Sequence, residues 1–164
     1  MKWKFFLIVL PYFQGYCQII DWDELTIEVL KYDTNNLNDL LDNWHLAAAS
    51  ASFEAYFEAT TDKFIFLGTA PAERWTKTEF MAFSKPYFDK GKAWDFKPSN
   101  RNWQFVDNSN VAYFDEDLQT WMEGCRGSGI CVIENGMWKI AYYNLTVLIE
   151  NEKIQPFIEL RKAN

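Results

Sequence analysis

The sequence predicts an α+β fold in which N-terminal helices pack on one side of a curved antiparallel sheet. In the first half of the chain the apolar residues recur with the period of a helix, and from Ala93 onward they alternate with a period of two. Two turn sequences, DNSN at 107–110 and ENGM at 134–137, divide the alternating part into hairpins. At 164 residues the chain is long enough for one domain with a sizeable core.

The first residues are interpreted as a cleaved secretory signal. A short basic segment (MKWK) precedes an apolar run (FFLIVL), and the small residues Gly15 and Cys17 stand where cleavage before Gln18 requires them. We therefore expect an exported protein, periplasmic or secreted, with no membrane contact after signal removal. A lipid-modified Cys17 and an apolar strand of the domain are the alternatives. The chain divides into a signal peptide (1–17), a lead-in segment (18–34), the domain (35–150) and a C-terminal tail (151–164).

The domain begins with a long helix that we predict over 35–60, with Thr34 as its cap. One side of this helix carries mostly small residues, and His45 and Tyr56 lie along its border. Such a side indicates either close packing against a neighbour or room for a ligand. Since large apolar residues lie opposite, we expect the helix to be covered on two faces. The small-residue side consists of Leu37, Leu41, Trp44, Ala48, Ala51, Ser52, Ala55 and Ala59, and the opposite side of Leu46, Phe53 and Phe57.

A short apolar strand (FIFLG) follows, and a tight loop leads to a second helix. The sequence TKTE from Thr76 to Glu79 is a capping box, which predicts that the second helix begins there. Gly91 predicts its end near Lys90, and Pro86 predicts a kink in its second half.

The first hairpin predicts an ion pair on the apolar face of the sheet. The parity of the apolar positions changes near Pro98–Ser99, which indicates a bulge. A turn at Asn108–Ser109 then places Trp103 opposite Phe114 and Arg101 opposite Glu116. The pair is either a polar anchor at the mouth of a pocket or a rim ion pair of small consequence.

The second hairpin turns at Asn135–Gly136. With regular pairing from this turn, Tyr142 and Asn144 share the inner face with Gly127 and Gly129, and Arg126 points outward. A slip of one residue reverses every one of these assignments.

Charge and cysteine content exclude several classes of function. The formal net charge of −7 and the absence of a basic cluster argue against binding to nucleic acid. Cys125 and Cys131 lie on one face of a predicted strand about 20 Å apart, too far for a disulfide. We interpret both as small buried residues. No zinc-binding spacing is present, and we predict neither a metal nor a cofactor.

The order of elements resembles the cone-shaped nuclear-transport-factor-2-like superfamily, and within it the SnoaL-like branch. The motifs that carry the resemblance are DNWHLAAASASFEAYF, FLGTAPAERWTKTEF, PYFDKGKAW, VAYFDE, GCRGSGICV and WKIAYYNL. The superfamily includes isomerases, cyclases, dehydratases and hydrolases as well as binding and dimer-forming modules, so fold alone does not give function. This chain departs from the pattern at Ala70–Pro71, where relatives often have an acid, and at Tyr142, where they tend to have His. No residue matches the pocket Asp that the enzymes use as a proton shuttle.

Our leading hypothesis is a module with an aromatic-lined cavity that binds a small apolar or carbonyl-containing molecule. The resemblance implies a homodimer through the outer face of the sheet. The predicted ligand-binding residues are Tyr56, Trp75, Arg101, Trp103, Phe114, Tyr142 and Asn144.

Two other functions stay open. In an isomerase, lyase or hydrolase, His45 and Glu116 would be acid and base for proton transfer, whereas a lone histidine beside a tryptophan also fits a core residue. In a structural dimerisation module, the pocket would be vestigial. Trp75 and Trp121 are interpreted as packing or lid aromatics, and Glu73 and Arg74 either close the pocket mouth or form a solvated turn pair.

Overall fold

The computed structural model describes residues 34–162, so the predicted signal peptide and all but the last residue of the lead-in segment lie outside the described residues. Within this range the helices are α1 (Thr34–Ala49), α2 (Phe53–Glu58), α3 (Lys77–Phe88) and α4 (Ile154–Lys162). The strands are β1 (Thr60–Leu67), β2 (Arg74–Thr76), β3 (Lys97–Phe105), β4 (Val111–Thr120), β5 (Glu123–Glu134) and β6 (Met137–Val147).

The six strands form one sheet in the order β2-β1-β6-β5-β4-β3. Every neighbouring pair is antiparallel except β1 and β6, which run parallel. Helices α1 and α3 pack against this sheet, so the predicted α+β architecture is confirmed. The mixed character of the sheet was not predicted, because β1 joins β6 across a large separation in sequence.

The prediction of one helix over 35–60 is wrong, because the helix stops at Ala49 and a second one begins at Phe53. The stop is a Schellman motif. Ala51 has a φ of 56°, the Ser52 amide donates to the Ala47 carbonyl at 2.8 Å, and the Ala51 amide donates to Ala48 at 3.1 Å. Glycine usually occupies this left-handed position, and alanine gives no comparable sequence signal.

The break changes which residues of the two helices are buried. Leu46 is 62 % exposed, so the expectation that α1 is covered on two faces is wrong. Beyond the break Ala55 is exposed, whereas Tyr56 and Phe57 are buried. The small-residue side therefore ends with α1 and does not continue into α2.

The second predicted helix is confirmed at its start and at its end. The hydroxyl of Thr76 accepts from the Glu79 amide at 3.4 Å, and the Glu79 carboxylate accepts from the Thr76 amide at 2.8 Å. Pro86 lies inside the helix, and Gly91 has a φ of 79° just beyond its end. Phe80 and Phe88 on this helix enter the core.

Both hairpins contain a bulge, one expected and one not. In β3 the register shifts between Ser99 and Asn102, as the parity change predicted, and Trp103 lies opposite Phe114. In β6 the register shifts after Ile140, so that Tyr143, and not Tyr142, faces Gly129. The prediction that Tyr142 and Asn144 lie on the inner face is therefore wrong.

Three further features complete the fold. Cys125 and Cys131 are buried free thiols, as interpreted from the sequence. The segment that follows β6 forms a 3-10 turn and α4, neither of which has a buried residue. Within residues 34–162 no helix is long and apolar enough to cross a membrane.

Candidate functional site

Four side chains from four elements form a buried polar group, which we call the Glu116 cluster: His45, Arg101, Glu116 and Tyr143. Glu116 on β4 is fully buried. Its Oε1 lies 2.8 Å from His45 Nε2 on α1 and accepts from the Tyr143 hydroxyl on β6 at 2.9 Å. Its Oε2 accepts from Arg101 Nε on β3 at 2.8 Å. The predicted pair of Arg101 and Glu116 therefore exists, and His45 joins it.

Arg101 also binds the first turns of α1. Its guanidinium donates to the Asn38 carbonyl at 3.3 Å, to Asn38 Oδ1 at 3.2 Å and to Asp42 Oδ1 at 2.9 Å. Asn38 Oδ1 also accepts from the Trp103 indole at 2.9 Å. Because the side chain of Arg101 is only 9 % exposed, these bonds replace those that water would make. The pair is thus a buried connection between helix and sheet rather than a rim ion pair.

Gly127 on β5 provides the space that the cluster occupies. A β-carbon at this position would lie 2.2 Å from the Tyr143 hydroxyl oxygen and 3.0 Å from Glu116 Oε1. Glu116 and Gly127 are direct partners across β4 and β5. A side chain at position 127 would therefore displace the donor that Glu116 uses.

The surroundings of Glu116 have opposing effects on its pKa. Burial raises the pKa of this carboxyl, but the hydrogen bonds and charges of His45 and Arg101 outweigh burial and hold it below its ordinary value. Burial and the neighbouring Glu116 charge raise the pKa of Tyr143. Glu116 is therefore a carboxylate at neutral pH, and Tyr143 is a neutral donor to it.

Aromatic rings fill the space beside His45. Trp44 on α1 stacks on Tyr56 with 4.7 Å between ring centroids, and the centroid of the Tyr143 ring also lies 4.7 Å from that of Trp44. Ala48 and Tyr56 are fully buried. Of the two alternatives for the small-residue side, close packing is thus the one observed at Trp44, Ala48 and Tyr56.

An open cavity lies instead between α3 and the sheet, and we call it the aromatic cavity. It has a volume of about 150 Å³. Trp75 stacks on Phe83 at 4.4 Å along one part of its wall, and the Trp121 side chain at its rim is 82 % exposed. Its lining residues are Phe66, Gly68, Thr69, Glu73, Trp75, Phe80, Phe83, Trp94, Phe96, Trp121, Met122 and Leu145.

A second depression of about 280 Å³ lies beside Arg101 and is more polar. Arg101 lines it together with Asn38 and Asp42, whose oxygens already accept from the guanidinium. The guanidinium that a ligand would meet there is therefore already hydrogen-bonded within the protein. Within residues 34–162 no three His, Cys, Asp or Glu side chains are grouped so as to hold a metal ion.

The structure divides the predicted site residues into three groups. His45, Arg101 and Glu116 are in direct contact, and the rings of Trp103 and Phe114 lie beside them, 4.8 Å apart. Trp75 lines the aromatic cavity, whereas Tyr56 is a core residue beneath Trp44. The third group, Tyr142 and Asn144, lies on the outer face of the sheet.

Sequence reasoning missed Tyr143 and most of the cavity wall. Trp138 and Ile140 share one parity, and Leu145 and Val147 share the other, so the β6 bulge had a signal like that in β3. Phe83 and Phe96 gave no signal beyond being apolar, since only the tertiary packing brings α3 beside the β4–β5 turn.

Comparison with known proteins identifies the domain. The sequence model of the SnoaL-like domain matches residues 37–150. No curated protein matches the sequence. A nuclear-transport-factor-2-like protein of unknown function from Pseudomonas putida superposes with a TM-score of 0.61 at 10 % identity, covering 77 % of this chain and 92 % of that one. One from Cytophaga hutchinsonii has a TM-score of 0.59 at 17 % identity, covering 71 % and 98 %.

The Glu116 cluster leads to a prediction about pH and stability. Because the pKa of Glu116 is lowered on folding, its carboxylate stabilises the fold above its ordinary pKa of 4.5 and loses this effect as pH falls through the folded value. We expect Glu116→Gln to lower the free energy of unfolding at pH 7 by about 3 kcal/mol. In urea titrations, the difference in the free energy of unfolding between this variant and the original chain should become smaller below about pH 4. Glu54→Gln, at an exposed position, is the control, and a difference independent of pH would contradict the electrostatic account.

Proposed function

The chain belongs to the SnoaL-like domain family, and we propose that it is a binding module that takes a small, largely apolar molecule into the aromatic cavity. The observation that carries this proposal is the composition of the cavity wall, in which aromatic rings and methionine dominate. Ligand sites of this kind combine apolar walls with few polar groups. Thr69 and Glu73 supply the polar groups here.

The size of the cavity limits the ligand. A dry cavity of roughly 150 Å³ is enough for a benzene-sized group. This cavity has a comparable volume but is open, so a ligand inserts one such group and leaves the remainder at the rim beside Trp121. The binding energy is therefore concentrated in one ring-sized or similarly compact group.

The alternative function, proton transfer by His45 and Glu116, has less support. A substrate must reach these groups, but Glu116 is fully buried and neither of the two cavities described above includes His45 or Glu116 in its lining. Both oxygens of Glu116 already accept hydrogen bonds. The geometry favours a structural role for the pair.

A homodimer through the outer face of the sheet is the second part of the proposal. Four apolar residues align across neighbouring strands on this face, in the order Ile65, Tyr142, Ile130 and Tyr113. Tyr113 is 47 % and Ile130 38 % exposed. A continuous apolar row of this kind on an otherwise acidic chain is typical of an interface.

Binding in the aromatic cavity predicts a loss of affinity when its rim is truncated. We expect Trp121→Ala to weaken binding of small aromatic probes by about tenfold, because burial of an aromatic surface contributes roughly 1–2 kcal/mol. Calorimetric titration with phenol or benzyl alcohol measures this change. Trp121 is so exposed that folding should be unaffected. Phe157→Leu on α4, outside the cavity, is the control, and equal affinities in all three proteins would contradict the proposed site.

Export predicts a shortened mature chain. When the full chain is produced in a bacterium, mass spectrometry of the secreted or periplasmic protein should give a mass that begins at Gln18. Retention of residues 1–17 in a protein recovered from the cytoplasm would exclude the signal peptide. Lipid on Cys17 would show as added mass on a chain that begins there.

If the chain forms the proposed dimer, a substitution that disrupts the interface should halve its mass in solution. Ile130→Glu places a charge at the centre of the apolar row, and desolvating it at an interface is costly. We expect light scattering to give a dimer for the original chain and a monomer for this variant. Leu46→Glu, on the exposed side of α1, should stay dimeric. A monomeric original chain would reject the interface.

A further inference from the structure

Glu73 is the charged residue in the lining of the aromatic cavity. No Lys, Arg or His side chain is among the described residues that line it. Glu73 Oε2 accepts from the Ala70 amide at 3.0 Å. The described part of the chain shows no ion pair for this carboxylate, so one of its oxygens is available at a partly buried position.

The fold holds this carboxylate in place. Glu73 lies over Gly68, where a β-carbon would come within 2.2 Å of Glu73 Oε2 and 2.9 Å of its Cβ. The Gly68 amide also donates to the Glu73 carbonyl at 2.8 Å. The loop between β1 and β2 therefore turns the carboxylate onto the backbone beside the cavity.

The neighbouring Arg74 does not neutralise Glu73. In β2 the side chain of Trp75 is directed to the cavity, and Arg74 on the preceding position is exposed. Among the described residues Arg74 forms no ion pair with the Glu73 carboxylate. The alternative that Glu73 and Arg74 form a turn pair is thus not what the structure contains.

An unpaired carboxylate beside aromatic rings is electrostatically complementary to a cation. The faces of Trp and Phe rings attract positive charge, and partly desolvated sites strengthen this attraction. The negative net charge of the chain also favours the approach of cations.

We propose that the aromatic cavity selects a small alkylammonium group and that Glu73 is its counter-ion. This inference rests on the proposed function, because it names the class of group that the same cavity takes. Trp75, Trp94 and Phe96 supply ring surface in the wall, and Trp121 supplies it at the rim. A trimethylammonium group is compact enough for a cavity in which a benzene-sized group fits.

The test uses choline and its neutral isostere, in which a quaternary carbon replaces the nitrogen. The two probes have the same shape, so their difference in affinity reports charge recognition alone. In calorimetric titrations at fixed ionic strength we expect choline to bind about tenfold more tightly. Glu73→Gln keeps the acceptor for the Ala70 amide and should remove most of this preference, leaving only the part that the rings provide, while the affinity for the isostere stays the same.

Glu123→Gln is the matched control, since it removes the same charge from an exposed position beside Met122 that does not line the cavity. It should leave the preference for choline intact. Equal binding of both probes would overturn the inference and leave the proposed function standing. Binding of neither probe, together with no binding of the aromatic probes, would overturn both. A preference that Glu73→Gln leaves undiminished, or that Glu123→Gln diminishes equally, would reject Glu73 as the counter-ion.

Discussion

The fold is organised around one carboxylate that has no access to water. Glu116 is surrounded by rings, and its charge is tolerated only because α1, β3 and β6 each direct a donor to it. β5 contributes by having Gly127 at the one place where a β-carbon would obstruct the Tyr143 hydroxyl. The position of α1 on the sheet, the bulge in β3 and the bulge in β6 are therefore linked, since each sets a donor at the distance that Glu116 requires.

The Glu116 cluster and the aromatic cavity occupy different parts of the same domain. In the Glu116 cluster, His45, Arg101 and Tyr143 already bind the carboxylate. The rings of Trp44, Tyr56 and Tyr143 pack beside this cluster. The aromatic cavity lies elsewhere, between α3 and the sheet, where Phe80 joins the core to the wall: its ring lies 6.2 Å from Tyr56 and 5.8 Å from Trp94. Phe66 is a second link, since it lines the cavity and stacks on the Tyr143 ring with 5.9 Å between centroids.

The parts that the sequence predicts are those with local physical causes. The capping box at Thr76 and the turn at Asn135–Gly136 depend on a few adjacent residues, and the structure contains both. The approach of Arg101 to Glu116 also followed from a turn and a parity change. The end of α1 was not predicted, because Ala51 adopts a left-handed conformation in which glycine is the usual residue. An aromatic-lined cavity with Trp75 in its wall was predicted, but its position between α3 and the sheet was not, since only tertiary packing brings Glu73 and Trp121 to the same space.

The exposed rings at the cavity form a surface that is available for contact with another molecule. A domain of this size fills its core with other rings, and Phe66, Phe80 and Tyr143 are already buried in it. Trp121 and Phe83 add aromatic area that folding leaves in water, which gives no benefit to stability. Their position around a single recess distinguishes them from scattered surface residues such as Leu46, because one molecule seated there would cover several of them at once. Under the inference drawn above, the carboxylate of Glu73 in the same recess would favour cationic molecules among those that the rings can cover.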